Sequence, residues 1–313
     1  MKKPTKKEHW VQRSYLKNFS FDDEQKMVMV FDKKENQIRR INTRNLCVQI
    51  DTYEKKIQNS YFAHNFIENG LARWENHFNK TIDSILRKII RNNNPDGLIA
   101  SHGDKLWLHY MFFIQLMRLP EMFEKLPKIP TLTKNDKSLD ADTKEKYQYL
   151  FKAHTLGLLP LDEGLPLPLS YQYADFYQKQ NTLVFLRIPN DSQKEFFTSD
   201  QPVVLTDPSI IGIHTKNRTE QEYQILTFYY PLSYRIAVIS VPRNLLPPQR
   251  RNRTITLESA MDKRCIDNLN NLMYSSAKRF LIGHKILDDV KNFAESGKMN
   301  CFKETYDERQ TAK

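Results

Sequence analysis

The sequence predicts an α+β fold that is mainly helical, with an N-terminal β-hairpin and a β-rich segment around residues 180–241. Apolar residues recur at three- and four-residue spacings between residues 65 and 156, whereas β-branched apolar runs dominate between 180 and 241. The chain has 313 residues, of which 40% are apolar, enough to bury a large core. We therefore expect one domain over residues 1–313.

The N-terminal region predicts a short helix or turn over residues 9–19, followed by the hairpin. Residues 27–31 are apolar and β-branched, residues 32–36 are polar, and residues 37–42 return as a partly exposed strand. This hairpin is expected to pack on the helices.

Three helices are predicted next, in a helical region over residues 65–156. The first covers residues 65–91 and ends at the Asn-, Pro- and Gly-rich residues 92–97. Ser101 or Asp104 is expected to cap the second, which continues to Leu119, is apolar nearly all round and is therefore predicted to be central. The third runs from Thr143 to about Leu156.

Beyond a break rich in Gly, Pro and Leu, the pattern changes to strands and then to C-terminal helices at about residues 256–296. The predicted strands cover residues 182–186, 195–198, 203–205 and 236–241. An arginine-rich loop at residues 247–254 precedes the helices. One helical face is predicted to contain Ile266, Leu269, Met273, Ala277, Phe280 and Leu281.

The charge balance predicts a polyanionic partner such as a nucleic acid. Lys and Arg number 48 against 37 Asp and Glu, a net charge of +11. The alternative is that these charges only solvate the surface. The longest apolar run, residues 110–117, is much shorter than the roughly 20 residues of a membrane-spanning helix, and no secretory signal is recognisable. We therefore expect a cytoplasmic protein with no membrane association.

Several site classes are excluded by the motif content. Cys47, Cys265 and Cys301 are far apart and form no Cys-x-x-Cys pair, so we expect unreactive thiols rather than disulfides or a zinc site. The chain has no phosphate-binding P-loop, no dinucleotide-binding glycine motif, no Gly-x-Ser-x-Gly elbow and no His-Glu-x-x-His. P-loop NTPases, Rossmann enzymes, α/β-hydrolases and zincins are therefore not expected.

The segment from His9 to Phe19 resembles the opening signature, His-Tyr-Val-Pro-x-x-Tyr-Leu-x-x-Phe, of the prokaryotic domain-of-unknown-function family four-two-three-eight. The positions that match are His9, Val11, Tyr15, Leu16 and Phe19. Gln12 stands where the family usually has proline, which leaves the entry turn less restricted.

Further segments resemble the same family in order, from about residue 9 to residue 282. They are residues 65–68 with Trp74 and Glu75, residues 115–120, residues 197–203 with residues 230–233, and Leu269 and Asn270 with Ala277. The resemblance implies an architecture and a set of candidate residues, but no reaction.

The candidate residues each have a catalytic and a structural interpretation. His9 is a candidate general base or phosphate contact, or else a buried histidine bonded to the backbone. Glu75 and Arg118 are candidates for catalysis, but a structural ion pair between two helices is favoured because Arg118 lies on the apolar second helix, where an unpaired charge is costly. Ser199 and Asp200 follow a strand, where they cap a turn or face a cleft.

Two short patterns resemble nuclease motifs. Arg279 and His284 have the Arg-x4-His spacing of HEPN-type ribonucleases, although a regular helix would point them about 140° apart. Asp32 with Glu54, Lys55 and Lys56 resembles the PD-(D/E)xK metal-dependent nucleases. Phe280 is apolar where the HEPN-type enzymes usually carry a polar residue, and chance occurrence in a chain that is 27% charged is the alternative for the second pattern.

These observations lead to two hypotheses. The first is a nucleic-acid-directed protein, a nuclease-like toxin or phage-defence effector that acts on a phosphodiester, with a divalent metal as a candidate cofactor. Its catalytic residues would be His9, Glu75, Arg118 and Asp200, converging on a phosphate-binding cleft. Its substrate-binding residues would be Arg13, Gln115, Ser199, Asn270, Arg250, Arg251 and Arg253.

The second hypothesis is a non-catalytic interaction module whose buried polar residues, such as an Asn270 core clamp, specify the fold. The sequence predicts no oligomeric state.

Overall fold

The α+β class is confirmed by a computed structural model, which describes residues 7–50, 66–91, 99–126, 140–158, 167–211 and 226–285. The helices are α1 (Arg13–Leu16), α2 (Phe66–Arg91), α3 (His102–Met117), α4 (Pro120–Glu124), α5 (Ala141–Thr155), α6 (Leu169–Gln180) and α7 (Ala260–Ser276). The strands are β1 (Lys7–His9), β2 (Met27–Asp32), β3 (Gln37–Asn42), β4 (Val48–Ile50), β5 (Asn181–Arg187), β6 (Thr198–Ser199), β7 (Val204–Thr206), β8 (Thr227–Pro231), β9 (Ile236–Pro242), β10 (Arg253–Thr256) and β11 (Phe280–Gly283).

The predicted N-terminal hairpin is present and belongs to a larger sheet. β2 and β3 pair antiparallel, with Met27 opposite Asn42 and Asp32 opposite Gln37. The C-terminal strand β11 pairs with the other edge of β2, which gives the order β3-β2-β11-β6. The N-terminal hairpin and the last described strand therefore share one sheet.

A five-stranded sheet of order β10-β5-β9-β8-β7 separates two apolar cores. β10 runs parallel to β5, and the other neighbours are antiparallel. Successive side chains of a strand point to opposite faces. Leu183 and Phe185 accordingly contact the core formed with α2, α3 and α6, whereas Val184 and Leu186 contact the core formed with α7 and β11. Because both faces are covered, all seven residues of β9 are buried.

The helix α3 is central, as its composition predicts. Ser101 caps it in a reciprocal capping box with Asp104, and every residue from Leu108 to Gln115 is buried. The hydroxyl of Tyr110 donates to the carbonyl of Leu156 at 2.7 Å and accepts from Ser170 at 3.2 Å, so α3 is tied to the end of α5 and the start of α6. Across the described ranges, no helix has both the length and the hydropathy needed to span a bilayer.

Several predicted boundaries are wrong. The helix α6 was not predicted, since its Tyr- and Gln-rich sequence has a weak apolar pattern. The last helix begins at Ala260 rather than Thr256, because Thr256 pairs in β10. Phe280 and Leu281 lie in β11 rather than on a helical face, since they bond to β2. The strand expected at residues 195–198 is reduced to the two residues of β6, and residues 92–97 and 286–296 lie outside the described residues. The single-domain organisation stays a prediction.

His109 connects α3 to the five-stranded sheet through a chain of side-chain hydrogen bonds. Its Nδ1 lies 2.7 Å from the carbonyl oxygen of Lys105, which can only accept, so Nδ1 carries the proton. Its Nε2 then accepts from the hydroxyl of Ser240 at 2.8 Å, and the amide of Asn181 donates to the same hydroxyl at 2.9 Å. This series of hydrogen bonds requires a neutral imidazole.

We expect the folded state to lose stability in acid through His109. Burial lowers the pKa of His109 to about 4, whereas histidine in an unfolded chain titrates near about 6.5. Above that pH neither state is protonated. As the pH falls from about 6.5 to about 4, only the unfolded state takes up the proton, which costs roughly 3 kcal/mol of stability.

Urea unfolding at several pH values between 7 and 4 measures this effect. His9 and His284, whose pKa values burial also lowers, contribute in the same direction. The comparison is therefore between wild type and His109→Asn, with His102→Asn, an exposed residue of the same helix, as control. Equal pH slopes for wild type and His109→Asn would rule out the assignment.

Candidate functional site

The C-terminal end of α3 binds the main chain of the His9 segment. Arg118 donates through one terminal nitrogen to Glu75 Oε1 at 2.8 Å and through the other to the carbonyl of His9 at 2.5 Å. Gln115, one turn earlier, donates to the carbonyl of Trp10 at 2.8 Å. His9 itself is held in register by the pairing of β1 with β4, opposite Val48. Three segments distant in sequence thus meet at one guanidinium.

The predicted ion pair between Glu75 and Arg118 is confirmed, and its two partners differ in exposure. The Arg118 side chain is 1% exposed, whereas that of Glu75 is 25% exposed. A buried guanidinium is costly unless its donors are bonded. The carboxylate and the carbonyl offset this cost, so the arrangement explains a charge at the end of an apolar helix by structure alone.

The side chain of His9 lies beside this pair. It is half-buried, and its Nε2 is buried with no hydrogen-bond partner among the described residues. Burial and the neighbouring charge of Arg118 lower its pKa, against the opposing effect of Glu75. The imidazole is therefore neutral near pH 7, the protonation state that a general base requires.

Asp200 joins the network through Trp10, whose indole nitrogen donates to the Asp200 carbonyl at 3.2 Å. Its carboxylate accepts main-chain N–H groups from Lys278 at 3.0 Å, Arg279 at 2.8 Å and Phe280 at 3.3 Å. Burial raises the pKa of Asp200, although these bonds oppose the rise. The side chain fixes the entry into β11.

The other polar candidates near this network also make local structural bonds. Ser199 Oγ accepts the N–H of Gln201 at 3.0 Å, which closes the turn after β6. Asn270 accepts from the N–H of Phe197 at 3.0 Å and donates to the carbonyl of Glu195 at 2.8 Å. Asn270 is thus the core clamp that the sequence predicted. Arg13 lies 3.5 Å from the hydroxyl of Thr43.

The arginine-rich loop lies at the opposite end of α3. Asn252, in the middle of this loop, exchanges two hydrogen bonds with the main chain of Ala100, directly before the α3 cap. Arg118 follows the other end of the helix, about 24 Å away at 1.5 Å per residue. Arg250, Arg251 and Arg253 therefore do not border the His9, Glu75 and Arg118 network, contrary to the single cleft that the sequence predicted.

The two nuclease-like patterns have other geometries. Arg279 forms an ion pair with Asp32 at 2.8 Å, and β11 separates it from His284. His284 bonds to the Ser20 carbonyl at 2.7 Å and stacks on Tyr234. A helical Arg-x4-His site is therefore not formed. Glu54, Lys55 and Lys56 lie outside the described residues. Within the described ranges, no three His, Cys, Asp or Glu side chains group as metal ligands.

A cavity of about 490 Å³ lies between α3, α4, α6 and the β7–β8 edge of the five-stranded sheet. Ten of its fourteen described lining residues are apolar or aromatic. These ten are Phe113, Leu116, Met117, Leu119, Met122, Tyr173, Tyr177, Leu205, Leu226 and Phe228. The four others are His109, Glu121, Gln201 and Lys278. Leu205, Tyr173 and Leu226 are 48%, 43% and 37% exposed, so apolar side chains form its mouth.

No single sequence pattern predicts this cavity. Four elements form its walls, and no local pattern reports how they come together. One signal was available in α6, where Tyr173 and Tyr177 are four residues apart and share a face. The hydrogen bonds of Tyr15, whose hydroxyl lies 2.6 Å from Thr198 Oγ1 and 2.8 Å from the Pro231 carbonyl, were also missed.

We expect Arg118→Met to destabilise the protein by about 3 kcal/mol, because Glu75 and the His9 carbonyl lose their donor. Arg118→Lys should have a stability between those of wild type and Arg118→Met, since one ammonium cannot reproduce the forked contact. Urea unfolding at pH 7 measures both, with Arg73→Met on the exposed face of α2 as control. An Arg118→Met protein as stable as the control would contradict a structural role.

Comparison with known proteins gives one match. Neither the curated proteins nor the solved structures yielded a match to the chain. A family model described as "Protein of unknown function (DUF4238)" matches residues 7–162. This range contains the His9 segment, Glu75, Gln115 and Arg118, whereas the segments from residue 197 onward that also resemble the family lie outside it. Residues 7–162 of the chain belong to the DUF4238 family, as the resemblance predicted.

Proposed function

We propose that this protein is a binding module, and that its ligand site is the apolar cavity between α3, α6 and the five-stranded sheet. The observation that carries the proposal is the cavity itself. Its volume of about 490 Å³ lies within the roughly 300–1,000 Å³ of small-molecule sites, and its lining is mainly apolar with a few polar groups, as such sites usually are.

The bonding of the candidate catalytic residues supports the same proposal. Arg118, Asp200 and Asn270 are buried, and the two terminal nitrogens of Arg118, the Asp200 carboxylate and the Asn270 amide bond to main chain or to Glu75. Such bonds specify how segments meet and leave these groups less available to a substrate. In contrast, the cavity presents apolar side chains that are partly exposed, namely Leu205, Tyr173 and Leu226, and such an apolar surface favours an apolar ligand.

A neutral apolar dye such as Nile red tests this proposal. We expect saturable binding with one dye per chain, and about tenfold weaker binding to Leu205→Asp, which places a charge at the cavity wall. Ile90→Asp is the matched control, because Ile90 is a similarly exposed apolar residue on α2, away from the cavity. Absence of saturable binding, or equal weakening by both substitutions at unchanged melting temperature, would exclude the cavity as the site.

Nucleic-acid binding is the second candidate, and one observation favours it. Ser84, Arg87, Lys88 and Arg91 line an open hollow of about 430 Å³ on α2. Their spacing puts them on one helix face. With a net charge of +11, this face is suited to phosphate contacts that are independent of base sequence. A nuclease-like toxin or phage-defence effector, with His9 and Glu75 as its catalytic residues, would extend this candidate.

Labelled single-stranded RNA and DNA test the second candidate. We expect binding to weaken with salt, and the double variant Arg87→Ala with Arg91→Ala to reduce the log–log salt slope by about 2, while Arg73→Ala does not. Incubation with and without a divalent metal then tests for cleavage, which should be lost in His9→Ala and Glu75→Gln. No binding at low salt would eliminate this candidate.

A further inference from the structure

An ion pair lies at the mouth of the apolar cavity. Lys278, in the segment between α7 and β11, contacts Glu121 at the start of α4, and both residues line the cavity. Their side chains are 46% and 63% exposed, respectively. An ion pair this exposed is weak, because water screens both charges. A ligand carrying its own negative charge can therefore take the place of Glu121 at little cost.

The described charges at this mouth favour an anion. The hydrogen bond and the charge of Lys278, and to a smaller extent the charge of Lys125, lower the pKa of Glu121. Two ammonium groups thus act on one carboxylate. The nearby carboxylate of Asp200 does not line the cavity and is occupied by main-chain N–H groups.

The interior of the cavity carries no charge near pH 7. His109 is the most buried of the titratable residues that line it, and both ring nitrogens are bonded, to Lys105 and to Ser240. The facing residues of α6 and the sheet are Tyr173, Tyr177 and Phe228. An ionised group deep in the cavity would lose its hydration without gaining a partner. The part of a ligand that enters must therefore be apolar.

The volume limits the size of that apolar part. A buried cavity of roughly 150 Å³ accommodates benzene. The cavity of about 490 Å³ is some three times larger. A body of about a dozen carbon atoms, twice the number in benzene, therefore fits in the cavity with space left over.

We infer that the ligand of this cavity is a free amphipathic carboxylate, with an apolar body of about a dozen carbons inside the cavity and its carboxylate at Lys278. This inference rests on the proposed binding function and adds the ligand class and the residue that recognises it. Lys278 acts as the anion contact. Phe113, Leu116 and Phe228 enclose the apolar body, and Gln201 offers a further amide donor at the mouth.

Calorimetric titration of the full chain with dodecanoate, dodecan-1-ol and dodecylammonium, all below micelle formation, tests the inference. We expect dodecanoate to bind most tightly, with one molecule per chain. Lys278→Met should weaken dodecanoate binding about tenfold and leave dodecanol binding unchanged, because only the carboxylate loses a charge-assisted hydrogen bond. Lys278→Arg should retain the binding of dodecanoate. Lys179→Met, an exposed lysine away from the cavity, is the control.

The outcomes separate this inference from the function on which it rests. Equal affinity for dodecanoate and dodecanol, or a Lys278→Met effect that is the same for both, would overturn anion recognition while leaving an apolar binding site. Tighter binding of dodecylammonium than of dodecanoate would also overturn anion recognition, and would indicate that Glu121 contacts a cationic ligand. If none of the three binds and Leu205→Asp does not affect Nile red, both the inference and the binding function fail.

Discussion

The buried guanidinium of Arg118 is the interaction on which the arrangement of the N-terminal half depends. It binds the main chain of β1 and the side chain of α2 from the end of α3, so it sets the positions of three segments at once. Apolar contacts alone tolerate sliding between helices, whereas a forked donor with two fixed acceptors does not. The neighbouring bond from Gln115 to Trp10, and the bond from Trp10 to Asp200, extend this constraint to the turn before β11. The residues by which the family is recognised are therefore connected in space.

The cavity and the polar network lie on neighbouring parts of α3 but use different faces of it. Gln115 and Arg118 bind the N-terminal segment, while Phe113, Leu116 and Met117 line the cavity. One face of α3 thus supports the polar network, and the other face forms a wall of the cavity. Because the network fixes the end of this helix, it also fixes the cavity wall, without any of its charged groups entering the cavity. A structural role for the motif residues and a binding role for the protein are compatible for this reason.

Much of the fold could be predicted from local pattern, but much of the candidate site could not. The periodicity of apolar residues predicts α2, α3 and α5, since each helix buries one face or is buried all round. It assigns Phe280 and Leu281 to a helix because their spacing continues that of α7, and only the pairing with β2 makes them a strand. The Glu75–Arg118 pair was predictable because a charge at the end of an apolar helix needs a partner. Its second acceptor, the His9 carbonyl, was not, since every residue carries a carbonyl and only the fold selects one.

The position of β11 also has a consequence for biosynthesis. Arg279, at its start, and Asp32, at the end of β2, are bonded although they are 247 residues apart in the chain. The sheet that contains the N-terminal hairpin can therefore be completed only after nearly the whole described chain has left the ribosome. At roughly 5–20 residues per second this delay lasts some tens of seconds. Throughout that time β2 has an unpaired edge with apolar side chains on both faces, and such an edge is a template for pairing with another chain. A product terminated before residue 280 would keep that edge permanently open.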